Sequence, residues 1–378
     1  MKITFANLAH SNMTTNVFNT EKLAADYAEK PPLFFGKQPG LFDTVNKHYP
    51  KIWELYKTMK SLDWDENEFD YTQCNLDFKS CPKSVYDMMI RTLAWQWEAD
   101  SVASRSIAPV LAPFISDSSL WAAWQRISDN EIVHAATYSE IVRMSFDNPE
   151  DVLADILKVK ESLVRLDTVS KVFSDAVDAS HKYALGQITE DEAYDKVFLL
   201  VVALLVLERV QFMASFAVTF TICSTNVFQP IGKAVQKIAQ DELEVHAELD
   251  KEVLRIELLT PRGKAAYERL KGTIKNIIDE AVTSELTWVD YLFSEGRELT
   301  GSNAQYMKNF VLYCAKPVYQ FLNIESDHKF PKHNPMPHVE DWINIGKTQA
   351  APQEQDNNAY KVNTIVRDDS QTVFEVDF

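Results

Sequence analysis

The run VFLLVVALLVL, residues 197–207, places eleven apolar residues in a row and then meets Glu208 and Arg209. A bilayer-spanning helix needs about 20 such residues. The run is too short for that and predicts a core helix, buried on nearly all sides, which other elements must surround. Glu208 then carries the information. An unpaired carboxylate in such surroundings costs several kcal/mol and must find a cation or a proton.

The surrounding elements read as helices. The 378 residues include only nine Gly, few stretches alternate apolar and polar residues, and segments with a 3.6-residue period dominate. Proline and capping signals divide the middle of the chain. One helix starts after Pro82 and runs to about Ile107, where Pro109 is expected to break it, and the next starts near Ser118. Asn148 with Pro149, Thr189 with Glu192, QPIGKAV and LTPRGKAAYERL mark four more starts, and a last helix is expected from about Ser302 to Asn323. No internal repeat or linker interrupts residues 1–345, so a single all-α domain with an N-terminal extension is expected there. Residues 346–378 are polar and acidic with isolated aromatics. They predict a flexible tail, and its final FEVDF reads as a hydrophobic peptide suited to a partner's groove.

Composition narrows the function. A formal net charge of -17 without any basic cluster argues against nucleic-acid binding. Cys74, Cys81, Cys223 and Cys314 lack CxxC spacing, which fits reduced thiols better than a disulfide framework or a zinc site. The opening MKITFANLAHSNMTTNVF has no apolar stretch of signal-peptide length, so a cytoplasmic location with no membrane span is expected.

Four helices each offer a candidate metal ligand. Asp100 lies in WQWEADSVASRS, Glu131 with His134 in NEIVHAATYSE, Glu208 in LVLERVQF, and Glu242 with His246 in IAQDELEVHAEL. Glu131, His134 and Tyr138 fall at i, i+3 and i+7, within about 60° of one another on a helical face. This is the inventory of a carboxylate-bridged two-metal site in a helical bundle. Four carboxylates would repel one another in a dry core, and two divalent ions cancel their charge. Oxygen-rich ligation with two imidazoles suits iron or manganese better than zinc or calcium.

Each piece has a plainer reading. Glu208 could pair with an arginine, Glu98 rivals Asp100, His246 could be an ordinary half-buried histidine, and Tyr138 a core tyrosine with a bonded hydroxyl. Glu244 and Glu248 read as solvated. Glu325 and His328 repeat the ExxH spacing after the last long helix, among charges and prolines, and read as a surface loop. The joint occurrence on four long helices, in order, favours the site.

These residues resemble the small, radical-generating subunit of class I ribonucleotide reductase, tyrosyl-radical type. The resemblance starts at PPLFFGKQPGLFD, runs through DSVASRS, EIVHAATY, LERVQFMASF and IAQDE, and reaches APQEQDNNAY in the tail. It implies a ferritin-like helical bundle, a homodimer, with two iron ions, or manganese, in its core. Asp100, Glu131 and His134 would hold one ion, and Glu208, Glu242 and His246 the other. Dioxygen activated there would oxidise Tyr138 to a stable radical, shielded by Phe212 and Phe216. Trp64, Asp241 and Tyr360 match positions that carry the radical outward, and the tail matches the segment that docks on the large catalytic subunit, where ribonucleotides are reduced. Another dimetal oxidase or hydroxylase on the same bundle is the alternative, although it needs no set of Tyr138, Trp64 and Tyr360 together.

One feature departs from the family pattern. The second histidine usually follows its glutamate by three residues, and here Glu242 and His246 are four apart. An i, i+4 pair still shares a face, and a local bulge in the helix is expected to absorb the extra residue; Glu244 stays open as a rival ligand.

Overall fold

Helix starts coincide with capping signals. The computed structural model describes residues 29–36 and 41–344. In chain order the helices are α1 (Pro50–Ser61), α2 (Thr72–Ser80), α3 (Lys83–Leu111), α4 (Ser118–Ser145), α5 (Pro149–Ile156), α6 (Lys160–Ala184) and α7 (Glu190–Val206). A π turn at Leu207–Gln211 leads into α8 (Met213–Cys223), and α9 (Gln229–Gln240) leads through a second π turn, Asp241–His246, into α10 (Ala247–Glu257). The series closes with α11 (Pro261–Leu292), α12 (Ala304–Phe321) and α13 (Pro337–Ile343). Among the described residues the only β pairing is two isolated bridges, Phe34 with Ile115 and Leu299 with Ser302.

Thr189 and Glu192 form the expected capping box, with Glu192 Oε2 accepting from Thr189 N at 2.8 Å and Thr189 Oγ1 accepting from Glu192 N at 3.3 Å. Asp117 caps α4, Thr260 caps α11 and Asn303 caps α12 through side-chain oxygens. Asn148 precedes α5 without a side-chain cap bond. Six helices carry no start mark in the sequence reading, α1, α2, α6, α8, α10 and α13, and none of them has a side-chain cap; α8 and α10 continue from the π turns. Pro109 does not end its helix. α3 runs on to Leu111, because Ala112 N–H reaches Ala108 O at 2.9 Å and Ala108 N–H also has Ser128 Oγ of α4 at 3.0 Å.

The bundle is ferritin-like. α3 packs along α4 and against α8, α8 meets α9, and α10 meets α7. α6 and α11 form an outer pair against α7, α12 leans on α11, and α1 covers α4 beside the second π turn. The apolar helix is longer than its uninterrupted run. From Glu190 to Cys223 it continues for 34 residues, long and apolar enough to cross a membrane, yet 94% of its most apolar window is buried by the rest of the protein. Enclosure, rather than shortness, marks it as a core helix. Leu200, Val202, Val206, Phe216 and Phe220 are fully buried there. Each such side chain stabilises the fold by about 1.5–3 kcal/mol, enough in sum to offset a buried acid.

Candidate metal centre

Asp100 comes from the middle of α3, Glu131 and His134 from α4, Glu208 from the first π turn, and Glu242 and His246 from the second. All six are buried. Ligand atoms of Asp100, Glu131, His134 and Glu242 lie within 4.8 Å of one another, and those of Glu131, Glu208, Glu242 and His246 form a second such group. Glu131 and Glu242 belong to both.

The two π turns present Glu208 and the Glu242–His246 pair. Phe212 N–H donates to Leu207 O at 3.2 Å and Ala247 N–H donates to Glu242 O, each five residues back. That bond accommodates one extra residue in the helix. The bulge expected between Glu242 and His246 is therefore present, and it leaves His246 Nδ1 2.9 Å from Glu242 Oε2. His246 Nδ1 is also 3.4 Å from Glu131 Oε1. Glu244 is exposed and lies outside both groups. Glu98, half-buried on α3, is outside them too, and burial lifts its carboxyl to about 7.

His134 faces two ways. Its Nε2 lies 3.1 Å from Asp241 Oδ2, which also accepts from Trp64 Nε1 at 2.7 Å. In the neutral imidazole that contact assigns the ring proton to Nε2 and would leave the Nδ1 lone pair for a metal ion. Nδ1 is 3.1 Å from Glu242 Oε1 and 3.6 Å from Glu131 Oε2, without hydrogen-bonding geometry to either. Both oxygens of Asp100 and of Glu131, and one each of Glu208 and Glu242, are likewise buried without a hydrogen-bond partner. Polar atoms that converge on shared points, with no proton aligned between them, fit the donor set of a metal pair.

Electrostatics agree with that fit. Burial, reinforced by Glu131, pushes the Asp100 carboxyl well above the usual carboxylate range, and burial with Glu242 does the same to Glu208. Burial also presses on Glu242, but the charge of His246, its bond to Glu242 Oε2 and the charge of His134 outweigh it and hold Glu242 low. His246 rises to about 10, because Glu242 and Glu131 overcome the burial that opposes its charge. Metal-free, the cluster thus stores protons that divalent ions would displace. Among the described residues Glu208 has no ion-pair partner; its neighbour Arg209 pairs with Glu248 at 2.8 Å instead. Glu248 is accordingly half-buried and paired, where the sequence suggested a solvated acid.

Tyr138, one turn beyond His134, is buried, and its hydroxyl has no hydrogen-bond partner among the described residues. Burial, then the charges of Asp100, Glu242 and Glu131, hold its phenol well above the usual range. Phe212 and Phe216, both buried, stack at 5.5 Å on the helix that follows the first π turn. Glu325 is exposed and His328 rests against Tyr319, away from the cluster. Tyr360 and the tail lie outside the described residues.

Three features escaped the sequence. Tyr71 is fully buried, its hydroxyl has no hydrogen-bond partner among the described residues, and its phenol adds to the upward push on Tyr138; it closes the same SLDWDENEFDY segment that holds Trp64. Asp250, one turn after His246, is buried beside His246 and Trp124. Arg165 of α6 binds Glu285 of α11 through two bonds of 2.8 and 2.7 Å and donates to Gln211 O at 2.7 Å. Its guanidinium lies between Trp95 and Trp288, 3.7 and 4.4 Å from the ring centres. No local motif marks such a pair, since its members are 120 residues apart.

An all-helical bundle with acids and imidazoles turned inward at its centre defines a class, the ferritin-like carboxylate–histidine proteins. Residues 41–335 match the family model described as ribonucleotide reductase, small chain, and the chain belongs to that family. It is an oxidoreductase subunit by that membership. The ribonucleoside-diphosphate reductase subunit beta of Haemophilus influenzae is 25% identical over 351 residues, covering 89% of this chain and 93% of the relative. The subunit beta of Enterobacteria phage T4 is 24% identical over 382 residues, covering 94% and 96%. The ribonucleotide reductase R2 subunit from Clostridium botulinum shares the fold at a TM-score of 0.71 and 14% identity, covering 89% of this chain and all of that one. A structure of Streptococcus sanguinis NrdF, described as dimanganese(II), matches at a TM-score of 0.64 and 15% identity, covering 80% of this chain and all of that one.

Proposed function

We propose that the cluster holds two metal ions and that Tyr138 becomes the radical from which ribonucleotide reduction starts in a large catalytic subunit. The observation that carries this reading is the pair of four-residue ligand groups sharing Glu131 and Glu242. Asp100, Glu131 and His134 would hold one ion, and Glu208, Glu242 and His246 the other. A bound pair of iron or manganese ions supplies, with dioxygen, the oxidising power; the donor set accepts either metal.

The chain's own residues do the rest. Tyr138 would give up an electron and its Oη proton, and after burial the charge of Asp100 bears most strongly on this phenol. Without a hydrogen bond to its hydroxyl and without solvent, the oxidised ring has no ready reductant; Phe212 and Phe216 contribute that dryness. Trp64, Asp241 and His134 form a bonded path from the cluster to the 8%-exposed Trp64, along which the oxidising equivalent would leave. Tyr360 would continue that path, residues 346–378 would dock on the large subunit, and a homodimer in the cytoplasm is the expected working form. Family membership supports the large-subunit partner.

Electron paramagnetic resonance on metal-free protein, after addition of ferrous iron and air, tests the reading with Tyr138→Phe as control. A tyrosyl signal in the wild type that vanishes in the variant is expected. Iron uptake with no radical in either protein would overturn the radical assignment and leave a two-electron oxidase.

A further inference from the structure

We propose that Arg209 is a positioning residue, a clamp that holds the second π turn in the register where Glu242 and His246 both face the cluster despite the extra residue between them. The inference rests on the metal-site reading above and explains how this chain tolerates its four-residue spacing.

The backbone sets the problem. In an uninterrupted α-helix Ala247 N–H would bond to Leu243 O; here it bonds to Glu242 O, one residue further back. Arg209 Nη2 donates to Leu243 O at 2.9 Å. The same nitrogen donates to Glu248 Oε1 at 2.8 Å, just past the end of the turn. The bond to Leu243 O grips the bulge from inside, and the one to Glu248 lies beyond it. Arg209 itself lies on the first π turn, directly after Glu208. The clamp thus ties together the two segments that present Glu208, Glu242 and His246, and a shift of either turn would move a ligand of the second ion.

A bland alternative exists. The Arg209 side chain, which lines a groove of about 520 Å³ beside α12, is 32% exposed and that of Glu248 26% exposed, and such ion pairs add little to stability. Its other bond differs in kind. Leu243 is 5% exposed, so its carbonyl has little access to water, and a charged donor to it makes a short, strong bond. The two readings separate on Glu248. If the ion pair is all that matters, removing either partner has the same effect; if the carbonyl matters, only Arg209 counts.

The test compares Arg209→Met, Arg209→Lys and Glu248→Ala with the wild type by two readouts. The first is amide hydrogen exchange across residues 241–248 in metal-free protein. The second is Mn(II) binding, followed by the spin-coupled resonance that two adjacent Mn(II) ions give. Arg209→Met is expected to speed exchange in the turn and to weaken the second Mn(II) by about 10- to 100-fold, the usual cost of losing a supporting bond to a metal ligand. Arg209→Lys should restore part of the affinity, and Glu248→Ala should match the wild type. A further pair of variants removes Glu244, which returns the spacing to three residues; there Arg209→Met should cause no additional loss. Wild-type exchange and wild-type second-ion affinity in Arg209→Met would overturn the clamp, as would an equal loss in Glu248→Ala. Should the wild type bind no Mn(II), the metal reading fails on its own, and the exchange rates in metal-free protein still decide the clamp.

Discussion

A carboxylate at position 208, set among leucine, valine and phenylalanine and without a cationic partner, has to be neutralised by a proton or a metal. The same choice faces Asp100, and the histidines answer it with added protons. This gives metal-free protein a pH dependence of known sign. His246 rises from its ordinary 6.5 to about 10 in the fold, so its stabilising contribution is complete below 6.5 and is lost as pH climbs through about 10. His134, Asp100 and Glu208 are shifted upward too and act in the same direction. Glu242, held low, stays ionised across this window and adds no slope. Thermal unfolding of metal-free protein is therefore expected to fall from pH 6.5 towards 10. Saturating Mn(II) should remove or reverse that trend, because bound ligands have already given up their protons. A flat metal-free profile would mean that the cluster does not store protons.

At the scale of elements, the helices that bear ligands are held by contacts from helices that bear none. Arg165 of α6 and Glu285 of α11 meet behind the first π turn, where Arg165 also takes up Gln211 O and stacks between two tryptophans. Truncating one member leaves a bare charge in the core. Glu285→Ala is expected to cost about 3–5 kcal/mol in denaturant unfolding, while Arg165→Met with Glu285→Leu costs much less because no charge remains. Equal losses in the single and double variants would show that packing, and not charge, dominates there. The helix starts with a Ser, Thr, Asp or Asn side-chain cap were legible in the sequence because the cap is local; α6 and α13, which begin without one, were not.

For the whole molecule, the proposed function extends the working unit past the bundle. The net charge of -17 and the lack of a phosphate-binding loop fit a subunit that generates an oxidant and leaves nucleotide binding to a partner. Deleting residues 361–378 is expected to abolish binding to the large subunit, measured by surface plasmon resonance, with Mn(II) uptake unchanged. Retained binding would move the docking surface onto the bundle.

The sequence by itself determined the helical class and the order of the candidate ligands, because helical period, caps and ligand spacing are written within a few residues of one another; the expectation of a bulge near Glu242 came from the departure from the family's spacing. Only the tertiary structure decided which carboxylates belong to both candidate groups, that Glu208 has no arginine partner among the described residues, and that Trp64 and His134 share one oxygen of Asp241. Those are distances between helices far apart in the chain, fixed by how their apolar faces pack, and no short stretch of residues records them.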